Sequence, residues 1–242
     1  MHFNSRIAAQ YVTALPLLEA WFCDPKNEKT NIGVNAAGIR GVTAGPAGSA
    51  SAPLRTYNTW ANAELIKLLH GFWDFDLLLS CEGMEAFHAD LVESVESSWL
   101  SRGFPALARN QSYRLCDSFI KWMRIGAKSR PQIARAVHDF GHVVVNGPTL
   151  ELLGRLCDEL PSFTTQMATA DATASYEQIQ ATVREFCGQH GGTPVLFDVF
   201  ARTEHLVWAS VPSSLTAAGG RSAPVRGLRR QLAQGSVLVV SP

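Results

Sequence analysis

The sequence has no net charge and few charged residues of either sign. Its 242 residues include 21 basic and 21 acidic side chains, and charged residues make up 17% of the chain, against roughly 25% in an average soluble protein. The absence of net positive charge excludes a polycation of the histone kind. The apolar fraction of 46% excludes a solvated, disordered acidic segment. We therefore expect a globular protein.

Long hydrophobic runs and paired cysteine motifs are also missing. No stretch of roughly 18 apolar residues occurs, so we expect no membrane-spanning segment. The five cysteines are widely spaced, and none forms a Cys-x-x-Cys pair, which argues against a disulfide framework and for a reducing compartment. The apolar N-terminal stretch is interrupted by polar residues and lacks a signal-peptide cleavage site. We expect a cytoplasmic protein.

The distribution of glycine, proline and apolar residues predicts a mainly α-helical protein in four parts. Residues 1–25 form an N-terminal helix, because apolar residues recur there at steps of three and four. Residues 26–56 form a flexible Gly/Ala-rich linker. Residues 57–208 form a single helical domain, and residues 209–242 form a disordered, basic, low-complexity tail.

Apolar spacing places two helices near the middle of the predicted domain. The first has Phe87, Leu91, Val95 and Trp99 on one face. The second covers roughly residues 108–125. Its core face has Leu115, Phe119, Trp122 and Met123, and we expect the opposite face to have Arg114, Asp117, Lys121 and Arg124.

The neutral total conceals two opposed blocks of charge along these two helices. Residues 68–101 contain seven acids and no Lys or Arg, whereas residues 102–137 contain eight bases and one acid, Asp117. One interpretation is that the helices are antiparallel neighbours with complementary polar edges, where an exposed pair contributes at most about 1 kcal/mol. The other is a basic face that binds nucleic acid or an acidic partner protein. The candidate binding residues are Arg109, Arg114, Lys121, Arg124, Lys128 and Arg130.

A zinc site is a second candidate. His138 and His142 are four residues apart, so on a helix their imidazoles would lie one turn from each other, and Cys187 and His190 could complete four ligands. Gly141 falls inside this proposed helix, and the glutamate of a His-Glu-x-x-His protease motif is absent. We predict no cofactor, and zinc at these four residues is the one alternative that the sequence suggests.

The spacing of Arg and His is similar in two places to that of helical ribonucleases of the HEPN type. Arg184 and His190 have five residues between them, and Arg135 and His142 have six. The residues that follow the arginines, Glu185 and Ala136, differ from the Asn, Asp or His usual in that family. Matches of this spacing are also expected by chance at about the observed number.

Two functional hypotheses follow. The leading one is an intracellular helical binding or regulatory protein whose basic segment contacts nucleic acid or an acidic partner, and which could form a homo-oligomer. The alternative is a metal-dependent or HEPN-like hydrolase that uses His138, His142, Cys187, His190 or Arg184.

Overall fold

The fold is known from a computed structural model, which describes residues 2–23, 34, 38–39, 51–126, 130–157 and 172–209. Over these residues the regular secondary structure is helical, which confirms the prediction of a mainly α protein. The helices are α1 (Ser5–Cys23), α2 (Ser51–Leu69), α3 (Phe75–Leu78), α4 (Cys81–Ser101), α5 (Arg109–Gly126), α6 (Pro131–Phe140), α7 (Gly147–Leu156), α8 (Ala172–His190) and α9 (Pro194–Ala209).

The predicted linker and tail lie largely outside the described residues. Helix α2 begins at Ser51, which is inside the segment 26–56 assigned to the linker. The tail 209–242 falls outside the described residues except for Ala209. None of the described helices is long and apolar enough to cross a membrane.

Helix α5 lies at the centre of the bundle. It packs against α2, α4, α6 and α8, while α1 packs against α9 on another side of the molecule. Leu115, Phe119 and Met123 are fully buried, as the apolar spacing predicts. Asp117, Lys121 and Arg124 are also buried, so the expectation that they face away from the core is wrong. A helix surrounded on several sides has no solvent face on which to place them.

The segment that follows α6 is extended and lies inside the molecule. Helix α6 ends at Phe140, and Gly141 makes the transition. A Cβ atom at residue 141 would lie 2.4 Å from the Val137 carbonyl oxygen and 2.8 Å from Val195 Cγ2, so only glycine fits this close approach. The chain then runs through buried residues 142–145 until Asn146 caps α7 by accepting a hydrogen bond from the Thr149 amide.

Candidate functional site: a buried His–Asp–His–Tyr centre

Four polar side chains from different parts of the fold meet in the interior. His88 comes from α4, Asp117 from α5, His142 from the segment after α6, and Tyr176 from α8. Their exposed fractions are 4%, 0%, 1% and 4%, respectively. We call these four residues the buried centre. Ionisable groups are rarely buried to this extent unless they are paired or bind a metal.

The Tyr176 hydroxyl contacts each of the other three side chains. It donates a hydrogen bond to Asp117 Oδ1 at 2.8 Å, and it lies 2.8 Å from His142 Nδ1 and 3.2 Å from His88 Nε2. Asp117 Oδ1 is also 3.1 Å from His88 Nε2 and 3.6 Å from His142 Nδ1. One nitrogen or oxygen atom of each of the four side chains is therefore directed at a common point.

These separations suit the ligands of a single metal ion. Among the residues that the structure describes, His88, Asp117 and His142 form a group of possible metal ligands whose ligand atoms all lie within 4.8 Å of one another. Two ligands bonded at roughly 2.0–2.1 Å to a tetrahedral zinc ion are roughly 3.3–3.4 Å apart. The distances of 3.1 and 3.6 Å from Asp117 to the two imidazoles bracket that value. Two histidines and a carboxylate are also a common ligand set for first-row transition metals.

The hydrogen bonds of the buried centre are incomplete. Asp117 Oδ2 is buried and has no hydrogen-bond partner in the described part of the chain, and His142 Nε2 has only the 3.3 Å contact with Glu85 Oε1, which lies outside hydrogen-bond geometry. An unsatisfied buried oxygen costs free energy, so Asp117 Oδ2 calls for a physical explanation. Neighbouring charges stabilise the ionised forms. Although burial opposes it, contacts with His142 and His88 lower the pKa of Asp117, and contacts with Asp117 and Glu85 raise the pKa of His142.

Glu85 and Arg184 extend the centre outward. Glu85 Oε1 lies 3.3 Å from His142 Nε2 and is bonded on its other side by the Arg184 guanidinium. The contact with His142, followed by that with Arg184, lowers the pKa of Glu85 to about 2. Metal-bound histidines commonly direct their second nitrogen at a carboxylate, which fixes the tautomer and the ring orientation. Glu85 is in the position of such a carboxylate.

Gln180 holds the backbone next to His142. Its side-chain amide accepts a hydrogen bond from the Val143 amide at 3.1 Å and donates one to the Val143 carbonyl at 2.9 Å. Gln180 is itself 2% exposed. This double contact fixes an extended segment that has no strand partner of its own among the described residues.

A pocket of about 220 Å³ opens beside the buried centre. His88 and Tyr176 form part of its wall, together with Tyr113, whose ring stacks on that of Tyr176 at a centroid distance of 4.1 Å. Ala89 and Val92 also line it, as do charged side chains. They are Glu85, Glu93, Glu177 and Arg109.

The four predicted zinc ligands do not come together. His142 is in the buried centre, but His138 lies between Glu19 and Asp139 at 3.0 and 2.7 Å. The Cys187 thiol contacts the Tyr11 hydroxyl at 3.7 Å, and His190 packs against Phe186. The spacing argument assumed one continuous helix. Because α6 ends at Phe140, His138 and His142 have different partners.

The basic residues do not form one exposed face either. Lys121 is bonded to Asp198, and Arg124 donates to the Phe22 carbonyl oxygen; both side chains are buried. Arg114 is half-buried. Lys128 lies outside the described residues. Of the five described members of the set, only Arg109 and Arg130 are exposed.

The charge blocks on α4 and α5 make at least one direct pair. Arg109 Nη1 lies 2.9 Å from Glu96 Oε1, which is the complementary-edge arrangement that the first interpretation predicts. Arg130 is elsewhere, with its guanidinium over the Phe75 ring at 5.3 Å. In both HEPN-type pairs the arginine contacts an acidic residue instead of the predicted histidine. Arg184 binds Glu85, and Arg135 binds Asp139.

Sequence reasoning missed three members of the buried centre. Glu85 and His88 are three residues apart on a helix, a spacing that places both on one face. Asp117 is the single acid in the basic block, and it shares a helical stripe with Lys121 and Arg124. These two signals could have been used. Tyr176 gives no local signal, since its partners come from other helices.

Fold and site together define a class: a helical protein with a buried cluster of two histidines, an aspartate and a tyrosine. Comparisons of the chain with protein-family models, with curated proteins and with solved structures found no match.

Proposed function

We propose that the protein binds a divalent transition-metal ion, with zinc as the first candidate, through His88, Asp117 and His142. The observation that carries the proposal is the meeting of one ligand atom from each of these three buried side chains around one point. The outer contact from Glu85 to His142 Nε2 supports it, because metal-bound histidines commonly direct their second ring nitrogen at a carboxylate.

Hydrolysis is the activity we propose for such a centre. An ion with three protein ligands lowers the pKa of a bound water molecule to about 7 and so supplies a nucleophile at neutral pH. The Tyr176 hydroxyl lies within 3.2 Å of a ligand atom of all three residues, so a water molecule bound at the ion would take the position that this hydroxyl now holds. The pocket lined by His88 and Tyr176 is the proposed entry for the substrate.

The nature of the pocket disfavours a nuclease. Three of its lining residues are glutamates, which repel phosphodiesters. Binding of a polyanion or an acidic partner by the basic segment therefore stays a separate prediction that rests on Arg109 and Arg130. Replacing both by Ala and measuring nucleic-acid affinity at low salt tests it without disturbing the buried Lys121 and Arg124.

A cytoplasmic location and a homo-oligomeric state also stay predictions. The four cysteines whose side chains the structure describes, Cys81, Cys116, Cys157 and Cys187, are free thiols. Free thiols support a reducing compartment.

Metal content tests the proposed function. We expect the purified full-length chain, dialysed against zinc and then against buffer, to retain about one zinc ion per chain by elemental analysis. His142→Gln should lose it, because an imidazole ligand is removed. His138→Gln is the matched control and should retain the ion, since His138 lies outside the buried centre. Equal zinc content in the two variants contradicts the proposal.

Hydrolysis has its own readout. We expect the zinc-loaded protein to cleave p-nitrophenyl acetate at least about tenfold faster than the Asp117→Asn variant at the same zinc concentration. The rate should fall to the level of that variant when a chelator removes the ion. Equal rates would leave a metal-binding protein without the proposed hydrolase activity.

A further inference from the structure

We propose that the pocket beside the buried centre binds a small organic cation that has an ammonium group and an oxygen atom. We call it the tyrosine pocket, and the argument uses six of its lining residues: Glu85, His88, Glu93, Tyr113, Tyr176 and Glu177. As a substrate site this pocket rests on the proposed hydrolase function. Binding of a cation in the pocket does not depend on that function.

The charge of the tyrosine pocket is negative after its internal pairs are removed. Arg109 is balanced by Glu96, and Glu85 by Arg184. Glu93 and Glu177 are exposed carboxylates for which the described chain provides no ion-pair partner. Two uncompensated carboxylates at one pocket attract a cation and repel an anion.

Aromatic rings form a second feature that suits a cation. The Tyr113 and Tyr176 rings are stacked at a 4.1 Å centroid distance, and the His88 ring lies nearly parallel to that of Tyr176 at 5.6 Å. The face of a tyrosine ring that lines a pocket attracts ammonium groups through its quadrupole, and the attraction grows when the site is partly desolvated. Carboxylates beside aromatic rings therefore favour an organic cation over a neutral molecule.

His88 provides an unused polar atom at the wall. Its Nε2 contacts Asp117 and Tyr176, whereas no described group hydrogen-bonds to its Nδ1, although the side chain is only 4% exposed. With Nε2 directed at the buried centre, Nδ1 is left to contact a ligand oxygen. The volume of about 220 Å³ is below the roughly 300 Å³ of the smallest drug-sized pockets. The ligand is thus a small molecule.

A pair of isosteric probes tests the charge requirement directly. Choline has a quaternary ammonium group and a hydroxyl, and 3,3-dimethylbutan-1-ol has the same shape without the charge. Neither coordinates zinc strongly through nitrogen. By calorimetric titration of the full-length protein we expect choline to bind about tenfold more tightly than the alcohol, and its affinity to fall with added salt. Equal affinities for the two probes, or no binding of choline, overturn the proposal.

Paired variants locate the site. Glu93→Gln with Glu177→Gln removes the two uncompensated carboxylates and should weaken choline binding about tenfold. Glu82→Gln with Asp90→Asn is the matched control, because it removes the same charge from exposed positions of α4 that do not line the pocket; it should change the affinity by less than about twofold. If the control weakens binding as much as the pocket variant, the proposal fails.

The two proposals fail separately. Choline binding by a protein that retains no zinc contradicts the metal centre and leaves the cation site intact. Zinc retained at about one ion per chain with no preference for choline contradicts the cation site and leaves the metal centre intact.

Discussion

Two buried polar clusters share helix α5 and differ in how completely their charges are matched. Lys121 is bonded to Asp198, which Arg202 also contacts at 3.2 Å. One turn earlier, Asp117 accepts a hydrogen bond from Tyr176 but leaves its second oxygen without one. The first cluster is a cation and a carboxylate that satisfy each other. In the second cluster several polar atoms converge on one point, and a carboxylate oxygen of Asp117 has no hydrogen-bond partner among the described residues.

The difference separates an architectural role from a functional one. A matched buried pair joins α5 to α9 and, once formed, has little capacity for another ligand. Unmatched buried groups are costly to a folded chain, and clusters of them are typical of functional sites. The contrast can be tested, because variants of the two clusters should lose different properties.

The largest expected effect is on stability at the matched pair. Lys121→Met leaves Asp198 with only the partly exposed Arg202, and breaking a buried pair from one side costs roughly 3–5 kcal/mol. We expect urea denaturation to show a loss of free energy of unfolding in that range. The double variant Lys121→Met with Asp198→Leu should lose less than the single variant, because no buried charge is left without its partner.

Arg135→Met is the surface control for this prediction. Arg135 and Asp139 form a pair on α6 in which the arginine side chain is 76% exposed, so its loss should cost less than about 0.5 kcal/mol. A Lys121→Met variant as stable as Arg135→Met would show that the buried pair has no stabilising role.

The next effect is on metal affinity at the buried centre. Asp117→Asn keeps the shape of the side chain but removes the carboxylate ligand, so zinc affinity should fall at least about 100-fold, which corresponds to roughly 2.7 kcal/mol. Lys121→Met should keep its zinc affinity within about threefold, provided that it is measured below the denaturation temperature. Competition with a chromogenic chelator measures both. The contrast between the clusters disappears if the two variants bind zinc equally.

A smaller effect on zinc affinity is expected from Gln180, which positions a ligand but is not itself a ligand. Gln180→Leu removes both hydrogen bonds to Val143 and frees the segment that places His142, so zinc affinity should fall about 10- to 100-fold. Gln178→Leu, at an exposed position of the same helix, is the matched control and should be close to the parent protein. If Gln180→Leu binds zinc normally, the amide contact does not position the ligand.

The smallest effect distinguishes the buried centre from the zinc site that the sequence predicts. Burial raises the pKa of the Cys187 thiol to about 12, so this group stays protonated and unreactive at pH 8. We expect iodoacetamide to label the exposed Cys81 and to leave Cys187 unlabelled in the folded protein, with zinc making no difference. Labelling of Cys187 that zinc suppresses would return that residue to the list of ligands.

Much of the fold could be predicted from the sequence, because helices leave a local record. Phe87, Leu91, Val95 and Trp99 recur at helical spacing, and all four are buried on α4. Pro131 stands in the first turn of α6, where proline is tolerated. The faces of α5 were harder to predict, since polar residues at helical spacing look the same whether they face solvent or a buried partner.

The site depends on contacts between distant residues, and only part of it could be predicted. The sequence predicts His142 as a ligand, but its predicted partner His138 is not in the buried centre. Within the centre His142 contacts Asp117 and Tyr176, and Tyr176 in turn contacts His88, which is 88 residues away along the chain. No spacing rule links residues so far apart along the chain. Only the packing of α4, α5 and α8 brings them together.

Anomalous X-ray diffraction from zinc-loaded crystals at the zinc absorption edge tests the central claim most directly. The expected result is one strong peak roughly 2.0–2.2 Å from His88 Nε2, Asp117 Oδ1 and His142 Nδ1. A map with no peak at the buried centre, or with its peak at His138 and Glu19 or at His190, would contradict the claim that the unmatched cluster on α5 is a metal site.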